Sequence, residues 1–343
     1  MSNAAQKKDA TAAPLDALSA LLHEDMKCVN AEILARMDSP VAIIPQVASY
    51  LIAAGGKRIR PLLTLAATKI YGAQGDIGQD QMNRAYRLSA AVEFIHSATL
   101  LHDDVVDESE KRRGQDAANL VFGNQAAVLV GDFLFSRAFQ LMVADGNLEV
   151  LRILSDASAI IAQGEVMQLS TTGNLETTLE DYEEVIKAKT AALFTAACEV
   201  GPVITGQDAV QAKAMADYGL YLGMAFQIID DVMDYTSSNV KMGKTAGDDF
   251  REGKMTAPVI YALQNADAEE KDFWRRTLER KEQKDGDLER ANAILAKHNT
   301  HARSIELAQS YGAKATAVLE SVPTGEIKDL LIATIDFTIN RET

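Results

Sequence analysis

The chain has 343 residues, 47% of them hydrophobic, and sets 34 Lys and Arg against 49 Asp and Glu for a net charge of −15. That balance argues against nucleic acid as a partner but not against a small anion, because local basic clusters decide the potential of a site. Two cysteines, Cys28 and Cys198, are too few for a disulfide framework or a zinc site and fit a reduced, cytoplasmic compartment.

In chain order, Met1 to Ala13 has no apolar core of signal-peptide type and, with Pro14, reads as a polar, disordered lead-in. Leu18, Leu21, Leu22, Met26, Val29, Ile33 and Leu34 then recur at helical spacing. Ser39-Pro40 breaks that helix, and Ile43 to Ala54 makes a second, ended by Gly55-Gly56. Lys57-Arg58-Ile59-Arg60-Pro61 follows, with Pro61 opening a helix that runs to Tyr71. Basic side chains ahead of a helix N-terminus make an anion cradle; the bland alternative is a solvated basic turn. Gly72 to Gln79 is a polar loop.

Met82 to Asp107 reads as one long helix. It ends on Leu100-Leu101-His102-Asp103-Asp104-Val105-Val106-Asp107, with Lys111-Arg112-Arg113-Gly114 close behind. Asp103 and Asp107 are an i,i+4 pair about 6 Å apart along one face, with Asp104 at its edge. Like charges at that spacing repel, so a cation is expected to bridge them. His96 lies two turns before Asp103 on nearly the same face, whereas His102 reads as structural. Residues 114–123 read as a loop containing Asn119. Further helices run from Val128 to Ala144 and from Leu148 to Gln168, the latter bearing Gln163, Gly164, Glu165 and Gln168. Thr178, Glu180 and Asp181 start another, which passes Lys189 and Thr190 to reach Val200. A Lys in such an apolar wall usually snorkels to solvent; the functional alternative offers its charge to a phosphate.

Gln207 to Tyr235 ends in a second triplet, Asp230-Asp231-Val232-Met233-Asp234, with Gln227 one turn earlier. The Gly- and Lys-rich stretch from Lys241 to Lys254, including Lys244, suits a lid over phosphates. Helix resumes at Thr256-Ala257-Pro258. Residues 273–343 alternate charge with Leu, Ile and Ala at helical spacing and show no chemistry, and Trp274 reads as packing. No strand stands out, so the expected fold is all-α, and no apolar run approaches the roughly 20 residues that span a bilayer. Two acidic triplets, each ending an apolar helix and trailed by Lys or Arg, make facing metal-binding walls. Oxygen-only ligands favour Mg²⁺ held jointly with substrate phosphates.

Together these residues resemble the trans-isoprenyl diphosphate synthases, the head-to-tail prenyl chain elongation enzymes, from about Leu51 to Pro258. The resemblance implies one domain over residues 1–343, a large bundle of mostly antiparallel helices around a deep central cavity, usually as a homodimer. It implies that Lys57, Arg60, His96 and Arg113 hold isopentenyl diphosphate. Arg112, Lys189, Lys254 and, less closely matched, Lys244 hold an allylic diphosphate such as farnesyl or geranyl diphosphate. Asp103, Asp107 and Asp230 match Mg²⁺ ligands, three ions per site, with Asp104, Asp231 and Asp234 as inner or water-mediated helpers. Thr190 and Gln227 offer neutral oxygens to an allylic cation. Two departures stand out: Asp116-Ala117 replaces a common Pro-Thr, and Met255 replaces a common Pro; neither removes a charged ligand.

Relatives with short products often carry aromatics one turn before the first triplet, where this chain has Ala98 and Thr99. Small residues there leave the shaft open. The expected product is therefore a long all-trans polyprenyl diphosphate of eight to ten units, about C40–C50, suited to a quinone side chain. So apolar a product implies at most transient membrane contact on release. A class I terpene cyclase is a rival, but it needs no isopentenyl diphosphate site and typically lacks a third Asp at the Asp234 position. A non-catalytic subunit of a heteromeric synthase is another, but such subunits tend to lose one aspartate wall.

Overall fold

The structure is a computed structural model that describes residues 14–53, 56–74, 77–236 and 247–341. The polar lead-in up to Ala13, Gly55 and Lys244 lie outside them. The first periodic stretch divides at Leu22 into α1 (Pro14–Leu21) and α2 (His23–Met37), followed by α3 (Ile43–Ala53), α4 (Ile59–Lys69) and the long α5 (Gln79–Val106). The expected loop at 114–123 is more ordered than its polarity implied. It holds half of an antiparallel ribbon, β1 (Lys111–Arg112) with β2 (Gln115–Asp116), and then α6 (Ala118–Phe122). Next come α7 (Asn124–Asp145), α8 (Leu148–Thr171) and α9 (Leu179–Ile186). A reciprocal cap starts α9: Asp181 N–H donates to Thr178 Oγ1 at 3.1 Å and Thr178 N–H to Asp181 Oδ2 at 2.9 Å.

The helix expected to continue unbroken to Val200 widens into a π turn at Lys187–Ala191 before α10 (Ala192–Ile204). After it come α11 (Ala209–Thr236), α12 (Asp248–Glu252), α13 (Ala257–Gln264), α14 (Ala268–Trp274), a second π turn (Arg275–Glu279), α15 (Asp287–Lys297), α16 (Thr300–Leu319) and α17 (Glu326–Ile339). The fold is all-α, a bundle of helices packed around the long α5 and α11.

Burial explains the layering. Leu88 to Ile95 on α5 is buried on every side, mostly apolar but with Ser89 and Glu93 included. α5 accordingly lies among α2, α4, α7 and α10, while α10 lies among α4, α5, α8 and α11. Each fully buried Leu contributes about 2 kcal/mol by transfer from water. One continuous core joins Leu15 on α1 to Ile339 on α17, and these two helices pack on each other. Trp274 is fully buried against Phe250 and Phe273, the packing role expected of it. α7, with 22 residues, is long and apolar enough to cross a membrane by length and composition, though it contains no uninterrupted apolar run of that length. Asp132 and Arg137 interrupt its apolar run, and one of its faces packs on α5.

Candidate active site

The ends of α5 and α11 open into one cavity of about 1040 Å³. Asp103 and Asp107 line it from α5, and Asp230, Asp231 and Asp234 line it from α11. The two walls are joined at one rim. Lys254 Nζ stands 3.4 Å from Asp107 Oδ2 and 3.9 Å from Asp249 Oδ1, and it also pairs with Glu252. Asp249 N–H in turn donates to Asp234 Oδ2 at 3.0 Å.

Of the middle aspartates, Asp104 turns away from this space, whereas Asp231 borders it but has both oxygens bonded behind. Asp104 is 0% exposed and lines no part of the cavity. Its Oδ1 accepts from Arg112 Nε at 2.8 Å and from Arg112 Nη2, and its backbone oxygen takes Ser109 N–H and Asn119 Nδ2, each at 2.9 Å. α6 thus fastens the end of α5, while Tyr50 on α3 fastens the ribbon by donating to the Asp116 carbonyl at 2.7 Å. Asp231 is 4% exposed. Tyr182 Oη donates to its Oδ2 at 2.6 Å and Gln227 Nε2 to its Oδ1 at 2.7 Å. Burial, with nearby Asp249, pushes the Asp231 carboxyl well above the usual range.

Burial also raises Asp103, to about 7; Glu165 and Asp107 reinforce it while Lys189 and Arg112 oppose it. Carboxylates crowded beyond their local cations are a donor set that fits a hard divalent ion. Among the described residues no three Asp, Glu, His or Cys side chains form a ready-made metal cage. A metal here must complete its shell from water or substrate.

The same cavity also has a basic lining. Lys57, Arg60, Arg112, Arg113 and His96 all line the cavity, as does Arg58, to which no role was assigned from sequence. The Arg60 guanidinium lies 4.4 Å from the Phe194 ring centroid, and burial draws it down to about 10, so it stays charged. His96 is held well below its ordinary value by burial and then by Arg60, Arg113 and Arg112, which keeps the imidazole neutral. Gly56 makes room for Arg113: a β-carbon there would stand 2.7 Å from Arg113 Nη1. Three non-glycine residues on this rim, Arg58, Glu108 and Arg113, hold left-handed backbone with φ of 44°, 51° and 52°. Each costs about 1–2 kcal/mol, a strain the surrounding packing has to offset.

Lys189 and Thr190 sit on the first π turn. Lys189 Nζ pairs with Glu165 at 2.7 Å and lies 3.9 Å from Asp103, and Thr190 Oγ1 donates to Gln227 Oε1 at 2.8 Å. Gly164 lets α8 approach this turn, since a β-carbon there would come within 2.7 Å of the Lys189 backbone nitrogen. Thr99 lines the cavity, while Ala98 is fully buried beside it and does not.

Several residues at the site went unassigned from sequence. Glu93 is buried 3.7 Å from Arg58, and an acid inside the apolar run before His96 was the available signal. Residues 273–343, which showed no chemistry in sequence, also reach the cavity. Lys57 Nζ lies 5.0 Å from the Phe337 ring centroid. Arg341 stacks 4.3 Å from the Phe226 ring and donates to the Phe226 carbonyl at 3.1 Å.

Two aspartate-bearing helix ends and a basic cradle lining one cavity define the isoprenyl diphosphate synthase class, and comparison supplies the family. Residues 41–295 match the family model of Polyprenyl synthetase, and the chain belongs to that family. It is 40% identical to the octaprenyl diphosphate synthase of Escherichia coli K12 over 331 residues, covering 96% of this chain and 99% of the relative. A crystal structure of a decaprenyl diphosphate synthase from Rhodobacter capsulatus superposes with a TM-score of 0.89 at 48% identity, covering 96% and 100% of the two chains. A Caulobacter crescentus CB15 polyprenyl synthase complexed with calcium and isoprenyl diphosphate gives 0.91 at 45% identity, covering 98% and 100%.

Proposed function

We propose that the chain condenses isopentenyl diphosphate onto an allylic diphosphate, farnesyl or geranyl, to make a long all-trans polyprenyl diphosphate. The product length is octaprenyl to decaprenyl, as the names of its similar relatives read. The observation that carries this is the joint lining of one cavity by both aspartate walls and the basic cradle.

Lys189, Arg112 and Lys254 hold the allylic diphosphate, and Lys244, outside the described residues, is assigned with them from the sequence. Their positive charges offset the charge that builds on the departing group. Mg²⁺, three ions per site, fits Asp103, Asp107, Asp230 and Asp234 and supplies Lewis-acid neutralisation of that diphosphate when bound. Asp104 and Asp231 stand behind these four. Arg60, Arg113, Lys57 and neutral His96 hold isopentenyl diphosphate so that its double bond lies against the allylic carbon. Thr190 and Gln227 face the developing cation with oxygens too weakly nucleophilic to trap it, and the released diphosphate takes the final proton. Ala98 and Thr99 leave room for chain growth.

Exposed Val128, Leu129, Phe139 and Val143 on α7 fit a homodimer. A cytoplasmic enzyme that meets a membrane only on releasing product accords with the chain's composition. The test is mass spectrometry of the polyprenyl alcohols formed from farnesyl and isopentenyl diphosphates with Mg²⁺. C40–C50 species are the expected result; a cyclic hydrocarbon from the allylic substrate alone, or no product, defeats the reading.

A further inference from the structure

We propose that Tyr182 and Asp231 are positioning residues that fix the direction of a hydrogen-bond chain ending at Thr190, and that Asp231 serves this chain rather than a metal ion. The inference rests on the prenyl-transfer reading above. It begins from three bonds that run in series. Thr190 Oγ1 donates to Gln227 Oε1 at 2.8 Å, Gln227 Nε2 donates to Asp231 Oδ1 at 2.7 Å, and Tyr182 Oη donates to Asp231 Oδ2 at 2.6 Å.

A side-chain amide can be turned over with little change of shape, so its direction has to be set by its neighbours. Tyr182 occupies Asp231 Oδ2, which leaves Oδ1 as the oxygen that accepts, and it takes Gln227 Nε2. Asp231 therefore draws the NH₂ end of Gln227 toward itself and leaves Oε1 facing Thr190. Oε1 accepts the Thr190 hydroxyl hydrogen, so neither that O–H nor the N–H bonded to Asp231 is directed at the lumen. Oxygen lone pairs of Thr190 and Gln227 are left available to the cavity that both residues line. An allylic cation formed there meets fixed negative dipole ends, with no O–H directed at it and no reorganisation needed.

Tyr182 makes the arrangement rigid. It belongs to α9, and its bond to Asp231 reaches across 49 residues of sequence to α11. Asp231 is 4% exposed and both of its oxygens already take a donor. Asp230, its neighbour toward the lumen, has no such pair of donors among the bonds of the described residues.

The test uses the full chain with Tyr182→Phe, Asp231→Asn and, as ligand comparator, Asp230→Asn. Single-turnover rate, KM for both substrates, the half-saturating Mg²⁺ concentration and melting temperature are measured for each. Tyr182→Phe is expected to slow the single-turnover step about tenfold, with both KM values and the Mg²⁺ midpoint within about twofold of wild type. Asp231→Asn offers Gln227 an N–H, which invites the amide to turn over and present hydrogen to Thr190. About a hundredfold loss follows, again without a Mg²⁺ shift. The double variant should be no worse than Asp231→Asn alone, because both act through one chain.

Asp230→Asn should instead move the Mg²⁺ midpoint at least about tenfold. A comparable Mg²⁺ shift in Asp231→Asn overturns the proposal, since Asp231 would then be a ligand. So does a Tyr182→Phe protein with an unchanged rate, or one whose rate and KM values worsen together with its melting temperature. If Asp231→Asn fails to fold, Tyr182→Phe alone decides. A wild-type chain that forms no polyprenyl product overturns the parent reading and this one with it; an active wild type whose variants behave normally overturns this one alone.

Discussion

The two Asp-Asp-x-x-Asp segments are spelled alike and end helices of the same length, 28 residues each in α5 and α11. In both, the outer aspartates line the cavity and the middle one is buried against partners behind it, although Asp231, unlike Asp104, still borders the cavity. The inward partners differ in kind. Asp104 meets a guanidinium only eight residues away, on a ribbon that its own helix end helps to fasten. Asp231 meets a phenol from α9 and an amide from its own helix, both neutral. The first wall thus neutralises its inner charge locally, whereas the second relies on hydrogen bonds alone and its inner carboxyl rises well above the usual range through burial. A repeated motif is a repeated ligand geometry, and the surrounding fold decides the electrostatics behind it.

The largest effects test what the walls share. Asp103→Ala and Asp230→Ala should each lower kcat about a thousandfold, roughly 4 kcal/mol, measured as incorporation of labelled isopentenyl diphosphate at saturating Mg²⁺. A large loss at one wall and a small one at the other would break the equivalence of the outer aspartates. Next is the link across the rim. Lys254→Ala removes the cation between Asp107 and Asp249, and should raise the KM for the allylic substrate about tenfold while the KM for isopentenyl diphosphate holds.

What sequence could and could not show follows from range. The acidic helix ends, the basic cradle and the all-α class depend on contacts within a few turns, and helical periodicity displays those directly. The β1–β2 ribbon is two residues per strand, too short for any alternation to register. The π turn at Lys187–Ala191 adds one residue to a helical circuit without changing the apolar pattern. Tyr182, Phe337 and Arg341 reach the site from α9 and from the C-terminal end of the chain; Arg341 bonds a carbonyl 115 residues earlier. Nothing local marks such a residue, because its role is set by packing that only the folded chain brings about.

Stability separates the middle aspartates. Asp104→Asn leaves Arg112 buried beside a neutral group and should cost about 3 kcal/mol, as breaking a buried ion pair does. Asp231→Asn keeps one of two neutral donors satisfied and should cost about 1–2 kcal/mol. Thermal unfolding of the two variants side by side tests this, and a drop for Asp231→Asn as large as that for Asp104→Asn would contradict the division between ionic and neutral support.

The smallest effect on rate, and the most specific, lies one turn before each wall. On α11 that turn already carries an aromatic facing the cavity, Phe226; on α5 it carries Thr99, with Ala98 fully buried beside it. The first wall therefore presents the smaller side chain to the cavity at this level. Thr99→Phe places a ring directly at the lumen and should shift the products several isoprene units shorter, with the first condensation slowed no more than about threefold. Ala98→Phe starts from a packed position, where added volume costs about 1–3 kcal/mol unless the ring swings into the cavity. Relief of that strain drives it toward the lumen, so Ala98→Phe should also shorten the products, by less than Thr99→Phe and with a lower melting temperature. Chromatography of the dephosphorylated products measures both. Unchanged lengths in the two variants would mean that growth runs along the second wall, and that the aromatic there, rather than the smaller side chain on the first, guides the chain.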